Sequence, residues 1–79
     1  NLTWANMNEV NLSGSDLRGA NLTGAKLKAA NLRGADPTDA DLTDAVLENA
    51  VLEEAKLDGA RLTAAKMNGA IMPDGKKHE

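Results

Sequence analysis

The sequence predicts an all-β fold, a solenoid that turns a corner every five residues, and three observations carry that prediction. Leu or Met recurs at five-residue steps from Leu2 to Met72, at fourteen of fifteen positions, with Pro37 the exception. Ala stands two residues before each of these centres from Ala20 through Ala70 without a break; Val10 and Ser15 take that slot earlier, and Ala5 restores it. Six of the seven glycines (Gly14, Gly19, Gly24, Gly34, Gly59 and Gly69) fall two residues after a centre, and Asp39, Asp44, Asn49 and Asp74 fill the same slot elsewhere.

Period five fits neither regular element. On a helix at roughly 100° per residue the Leu residues would wander round every side. On a flat strand an odd period sends alternate Leu residues to opposite sides. A corner every five residues removes both conflicts: each Leu points inward from the middle of a short face, and each Ala fills the tight space beside a corner. Gly, Asn and Asp best tolerate the positive φ that a type II turn requires at its second central residue. Composition agrees. The 79 residues hold no Phe, no Tyr and one Trp, so the core is a narrow Leu/Ala column repeated many times, not the aromatic-rich interior of a small globule.

Runs such as Asp16-Leu17-Arg18-Gly19-Ala20, Asn21-Leu22-Thr23-Gly24-Ala25 and Asn31-Leu32-Arg33-Gly34-Ala35 resemble the A(D/N)LXX motif of the pentapeptide-repeat family, over residues 1 to about 74. The resemblance implies a right-handed quadrilateral parallel β-helix with four pentapeptides per coil, hence roughly three and three-quarter coils. Ile71-Met72-Pro73-Asp74-Gly75 is similar to the ending of many cyanobacterial members, which leaves a solenoid over 1–74 and a loose tail over 75–79. The repeat is already in register at Asn1, and with no N-terminal cap in sight the expectation is a piece of a larger protein.

Stacking by twenty follows from four pentapeptides per coil and puts defined pairs about 4.8 Å apart. Thr3, Thr23, Thr43 and Thr63 form one outer column. Lys28 meets Glu48, Arg33 meets Glu53, Asp36 meets Lys56 and Asp41 meets Arg61; against them stand the like pairs Asp16 with Asp36 and Glu54 with Asp74. Exposed pairs of this kind contribute about 0–1 kcal/mol each and tune register without holding the fold. Met7, Met67 and Met72 are confined to the ends, where a flexible side chain suits packing on one side only. Pro37 keeps the five-residue frame but lacks an N–H, so a local loosening without a break is expected there. Trp4, large and in a corner slot, either covers the open lower end or contacts sequence upstream.

Chemistry finds little material. The sequence has no Cys, which removes disulfides, thiolate metal sites and thiol catalysis. The single His, His78, lies in the tail with no nucleophile to serve, so no enzyme activity and no catalytic residue is assigned. Gly14, Gly19 and Gly24 echo a phosphate loop only because the repeat spaces them. Asp36, Asp39, Asp41 and Asp44 lack the order of a calcium loop and fall on different sides of a square coil. No metal and no cofactor is expected. The Asn-X-Ser/Thr triplets at Asn1, Asn11 and Asn21 are generated by the repeat. No apolar run reaches the ~18 residues of a membrane span and no charged-then-apolar leader precedes the repeats, so no membrane insertion is expected. The compartment is left open between cytoplasm and, after removal of a leader, periplasm or thylakoid lumen.

Charge is the more informative signal. Residues 36–58 carry eight acids against Lys56, whereas the segments on either side each carry a small excess of Lys and Arg, within a net charge of −3. This acidic belt is either a solvated ring or a contact for a basic protein partner, and Asp39, Asp44 and Glu54 are its candidate residues. Val46, Val51 and Ile71 occupy outward slots where polar residues usually sit. Val51 and Ile71 are expected to stack, with Val46 on the adjacent face, and either ordinary ladder packing or a partner contact accounts for them. The function expected is a structural or protein-interaction module without catalytic activity, with end-to-end stacking open to it. The family resemblance supplies one alternative, a duplex-DNA mimic that binds topoisomerase. At about 4.8 Å per coil the rod is only about 18 Å long, and a duplex of that length carries roughly ten charges. The net charge here is −3, so the mimic ranks second to the interaction module; no nucleic-acid partner is expected.

Overall fold

The structure, a computed structural model, describes residues 2–78. Its repeating event is a turn. Every fifth residue from Trp4 (φ 61°) to Gly69 (φ 77°) is left-handed, and the N–H of the following residue donates to the carbonyl of the preceding centre, as in Ala5 N–H to Leu2 O at 3.0 Å. These are type II turns. Gly, Asn and Asp hold most of the left-handed positions, as the sequence predicts, but Trp4, Glu9, Ala29, Glu54 and Ala64 hold the same conformation at φ 60–65°. The stacked rungs impose it on residues with no preference for it.

Parallel pairing runs at a separation of twenty: Asn6 bridges Lys26, Asn11 bridges Asn31, and the series continues to Val51 with Ile71. These are isolated bridges, not extended strands. Two of every five residues are spent in a turn, so no straight segment is long enough to become one.

In the interior pentapeptide Asn31–Ala35 every N–H has a partner, as buried and half-buried backbone requires. Asn31 N–H donates to Val10 O (2.9 Å) in the preceding rung. Leu32 N–H and Gly34 N–H donate to Val51 O (2.7 Å) and Glu53 O (2.9 Å) in the following one, and Ala35 N–H closes the turn on Leu32 O (3.0 Å). The remaining N–H, of Arg33, donates to the side-chain oxygen of Asn31 at 3.0 Å. Asn11, Asp16, Asn21, Asp36 and Asp41 accept the N–H two residues on in the same way. Where Asn or Asp stands before a centre it is thus a backbone acceptor.

Leu22, Leu27, Leu47 and Leu52 are at most 1% exposed, the alanines between them are buried, and among the described residues no polar side chain is buried. Pro37 is as fully buried as these Leu residues and holds its place in the column. What it lacks is the one bond upward to Lys56 O. Lys56 accordingly makes no bridge, and its own N–H reaches Ala35 O at 3.1 Å, where the equivalent bonds elsewhere are 2.8–2.9 Å. The loosening is confined to that rung.

Two expectations at the C-terminal end are corrected. Asp74 is not a left-handed corner: Gly75 takes that conformation at φ 85°. Pro73 and Asp74 form a turn closed by Gly75 N–H to Met72 O (2.8 Å), and a Gly in the left-handed region after such a turn reverses the chain into a hairpin. Nor is the tail loose. Ile71 bridges Lys77 antiparallel, Met72 N–H donates to Lys76 O (2.7 Å), Gly69 N–H to His78 O (2.8 Å) and His78 N–H to Ala70 O (2.6 Å). Residues 76–78 lie along the last rung and pair with it.

Candidate functional site

The acidic belt is positioned by the corners. Asp39, Asp44 and Glu54 are exposed and left-handed at φ 61°, 62° and 64°, a conformation that throws the side chain outward from the frame. They stand at three different corners, because they are five and ten residues apart in a chain that turns every five. The remaining acids are also distributed round the coil, so no one side gathers the whole charge. Among the described residues no group of three or more His, Cys, Asp and Glu side chains is arranged to hold a metal ion.

Local bonds set the electrostatics of the neighbouring carboxylates. Arg18 donates through Nε to Asp16 Oδ1 (2.9 Å) and through Nη2 to Oδ2 (2.8 Å), and holds the Asp16 carboxyl down at about 2. The stacked like pair Asp16 and Asp36 is thereby relieved from within its own pentapeptide. Hydroxyl donation from Thr38 to Asp36, and from Thr43 to Asp41 (2.6 Å), lowers those two carboxyls as well. Of the four opposite-charge pairs expected at a spacing of twenty, Arg33 with Glu53 closes, at 3.7 Å, and Arg33 also reaches Glu54 at 3.6 Å. Lys28 with Glu48, Asp36 with Lys56 and Asp41 with Arg61 do not reach ion-pair distance. Their side chains are long and solvated, and ordering them costs about as much as the contact returns.

Val51 and Ile71 do stack, bridged to each other, and Val46 bridges Lys26 and Lys66 on the adjacent face. All three are half-buried in the ladder. The structure does not bring these aliphatics together with Asp39, Asp44 and Glu54 into one patch.

Trp4 does not fold over the open lower end. Its ring lies over Gly24, one rung on, where a Cβ would overlap the indole carbons, and it remains 65% exposed. The same relation recurs at the carboxylate of Asp39 over Gly59 and the amide of Asn49 over Gly69. A side chain on a left-handed corner leans onto the corner twenty residues later, and glycine there makes the room. A shallow groove on the face carrying Lys28, Glu48 and Asn68 is completed by Asn49, Gly69 and, from the hairpin, Lys77. Lys77 was invisible in the sequence because its position depends on the chain reversal at Gly75. The Pro-Asp-Gly run was the signal that could have revealed it.

A sequence profile for pentapeptide repeats matches residues 1–36 and 38–72 in eight copies, and the residue skipped between them is Pro37. No curated protein matches the chain. Solved structures do. A pentapeptide repeat protein from the thylakoid lumen of Arabidopsis thaliana is 30% identical with a TM-score of 0.83, over 85% of this chain and 46% of its own. HetL from the cyanobacterium Nostoc, involved in the regulation of heterocyst differentiation, is 35% identical with a TM-score of 0.72, over 92% of this chain and 43% of its own. Rfr23 from the cyanobacterium Cyanothece is 32% identical with a TM-score of 0.58, over 98% of this chain and 63% of its own. The chain therefore spans less than two thirds of the length of each. Five-residue register, left-handed corners, pairing at twenty and these likenesses agree: the chain belongs to the pentapeptide-repeat family and shares its right-handed quadrilateral β-helix.

Proposed function

We propose that this chain is a non-catalytic protein-interaction module, a rod of roughly three and three-quarter coils within a longer protein, whose acidic ring engages a basic partner. The observation that carries the reading is the separation of roles within each pentapeptide. Centres and alanines hold the core, the residue before each centre serves the ladder, and the corners are left to point outward. In the middle of the rod three of those corners are acids, Asp39, Asp44 and Glu54, all exposed. A partner with Lys or Arg on a concave or flexible segment reaches more than one corner, whereas a flat one reaches two at most. Val46, Val51 and Ile71 are half-buried in the ladder and lie outside any single patch with these acids, so the reading rests on the ring alone. The lumenal address of the Arabidopsis relative supports a lumenal compartment for this chain beside a cytoplasmic one, and among the described residues no helix is long and apolar enough to cross a membrane.

The test is a triple variant, Asp39→Asn, Asp44→Asn and Glu54→Gln, compared with the parent for capture by an immobilised polylysine peptide and for melting temperature. Asn is at home in the left-handed region, so the melting temperature is expected to hold while capture weakens and loses its salt dependence. Unchanged capture with an unchanged melting temperature would reduce the ring to solvated charge.

A further inference from the structure

Asn68-Gly69 is the single Asn-Gly step in the sequence, and an Asn-Gly step is the one most prone to close a succinimide. With no side chain on Gly69 to hinder approach, its amide nitrogen can attack Asn68 Cγ. Attack expels ammonia and closes a succinimide; water then opens the ring at either carbonyl, giving aspartate or isoaspartate. Water is the only co-reactant. The reaction needs a Gly69 N–H free of hydrogen bonds and Asn68 Cγ rotated onto it.

The fold withholds both. Gly69 N–H donates to His78 O at 2.8 Å. Ala70 N–H to Met67 O (3.0 Å) and a Gly69 φ of 77° define a type II turn, in which Asn68 has ψ near about +120°. Ring closure in an L-residue requires a negative ψ. Of these two restraints the hydrogen bond is the weaker, because its acceptor belongs to the hairpin. Lys76, Lys77 and His78 are exposed and held by few backbone hydrogen bonds, and segments of that kind open locally far more often than a core unfolds.

We propose that Asn68-Gly69 is a self-modification site gated by the C-terminal hairpin: when residues 76–78 lift away, Gly69 N–H is released, the corner relaxes and Asn68 deamidates. The product does not restore the rung. A carboxylate at 68 sits twenty residues above Glu48 in the same outer column, and the isoaspartate form adds a backbone carbon at a tight corner. There Asn49 N–H must still reach the carbonyl of residue 68 (2.9 Å), and the Asn49 amide occupies the space left by Gly69. Opening is reversible; modification is not, and it leaves the end of the rod loosened.

The experiment is peptide mass mapping of Asn68 over a warm, mildly alkaline incubation. It compares the full chain, a chain lacking Lys76–Glu79, and His78→Pro, which removes the N–H that donates to Ala70 O. Circular dichroism melts establish that each remains folded. The expected result is slow conversion in the full chain and conversion several-fold faster in both variants, with isoaspartate the major product. If the truncated chain fails to fold, His78→Pro decides alone. Equal rates in folded parent and folded His78→Pro would show that the turn by itself protects Asn68 and would overturn the gating. A parent that deamidates as fast as the free Met67–Ala70 peptide would overturn it equally.

Discussion

The two ends of the rod are built differently. At the N-terminal end Leu2 is 37% exposed and Met7, Leu12 and Leu17 are half-buried, although Leu22, Leu27 and Leu32 above them are at most 4% exposed. At the C-terminal end the exposure is split. Leu57 and Leu62 are half-buried, like their N-terminal counterparts, but Met67 is 8% exposed and Ala70 fully buried where the hairpin pairs with Gly69 and Ala70. The repeat fixes which way each residue points. How deeply it is buried depends on what lies on the next rung, which is a property of neighbours and not of the pentapeptide. A hairpin of three residues closes one part of one end and leaves the rest open.

The largest effects lie in the middle. Leu42→Asp places an unpaired charge in the closed column and is expected to cost several kcal/mol. Thr43→Asp, one residue on and pointing outward, is expected to be mild. Equal melting shifts would break the inward–outward assignment. Leu47→Ala is expected to cost about 2–5 kcal/mol and Leu12→Ala clearly less, since Leu12 already meets solvent; equal losses would deny that the N-terminal end is open. Met67→Ala against Leu62→Ala sharpens the other end. If the hairpin provides burial, the Met67 change costs more, and the gap closes in a chain lacking Lys76–Glu79.

Smaller effects probe the corners. Gly34 has open space where a Cβ would go, whereas Gly24 lies under Trp4. Both substitutions to Ala carry a left-handed backbone cost of roughly 1–2 kcal/mol, but Gly24→Ala must also displace the indole. It is expected to be the more destabilising of the two, and to red-shift tryptophan emission. The smallest effect is a pH dependence. Arg18 holds Asp16 at about 2 in the folded state, against 3.8 for the free group. The stabilisation from this pair is therefore present above pH ~4. It is lost as pH falls through the folded value. Titration by NMR is expected to find that low midpoint, and Arg18→Ala to return it toward the ordinary carboxylate range.

Much of the fold was legible because one signal repeats. Fourteen Leu and Met centres and an unbroken run of alanines leave no alternative register, and they carried Trp4, Glu9 and Ala29 into left-handed corners that their own propensities argue against. The hairpin was not legible for the same reason: the period was extended through Asp74, which has a residue type suited to a corner, and it masked the Pro-Asp-Gly turn that ends the repeat. The role of Asn and Asp in the slot before a centre, as at Asn31 and Asp41, became visible only with the backbone accounted for, since it depends on one N–H per turn that stacking cannot satisfy. Charge pairing was the least legible. A spacing of twenty brings Lys56 and Asp36 to the same column, but a solvated lysine is not held there by Coulomb energy alone.

Amide hydrogen exchange, resolved residue by residue, tests the difference between the ends most directly. Leu22, Leu27 and Leu47 N–H groups are bonded to the following rung and are expected to exchange only with global unfolding. On the last rung, Gly69 and His78 N–H groups are expected to be protected by the hairpin, while Leu57 and Leu62 N–H groups, with no backbone partner among the described residues, exchange freely. Protection of Gly69 and His78 well above that of Leu57 and Leu62 is the predicted result. Exchange at the same rate in all four would mean that the hairpin closes nothing, and would contradict the account.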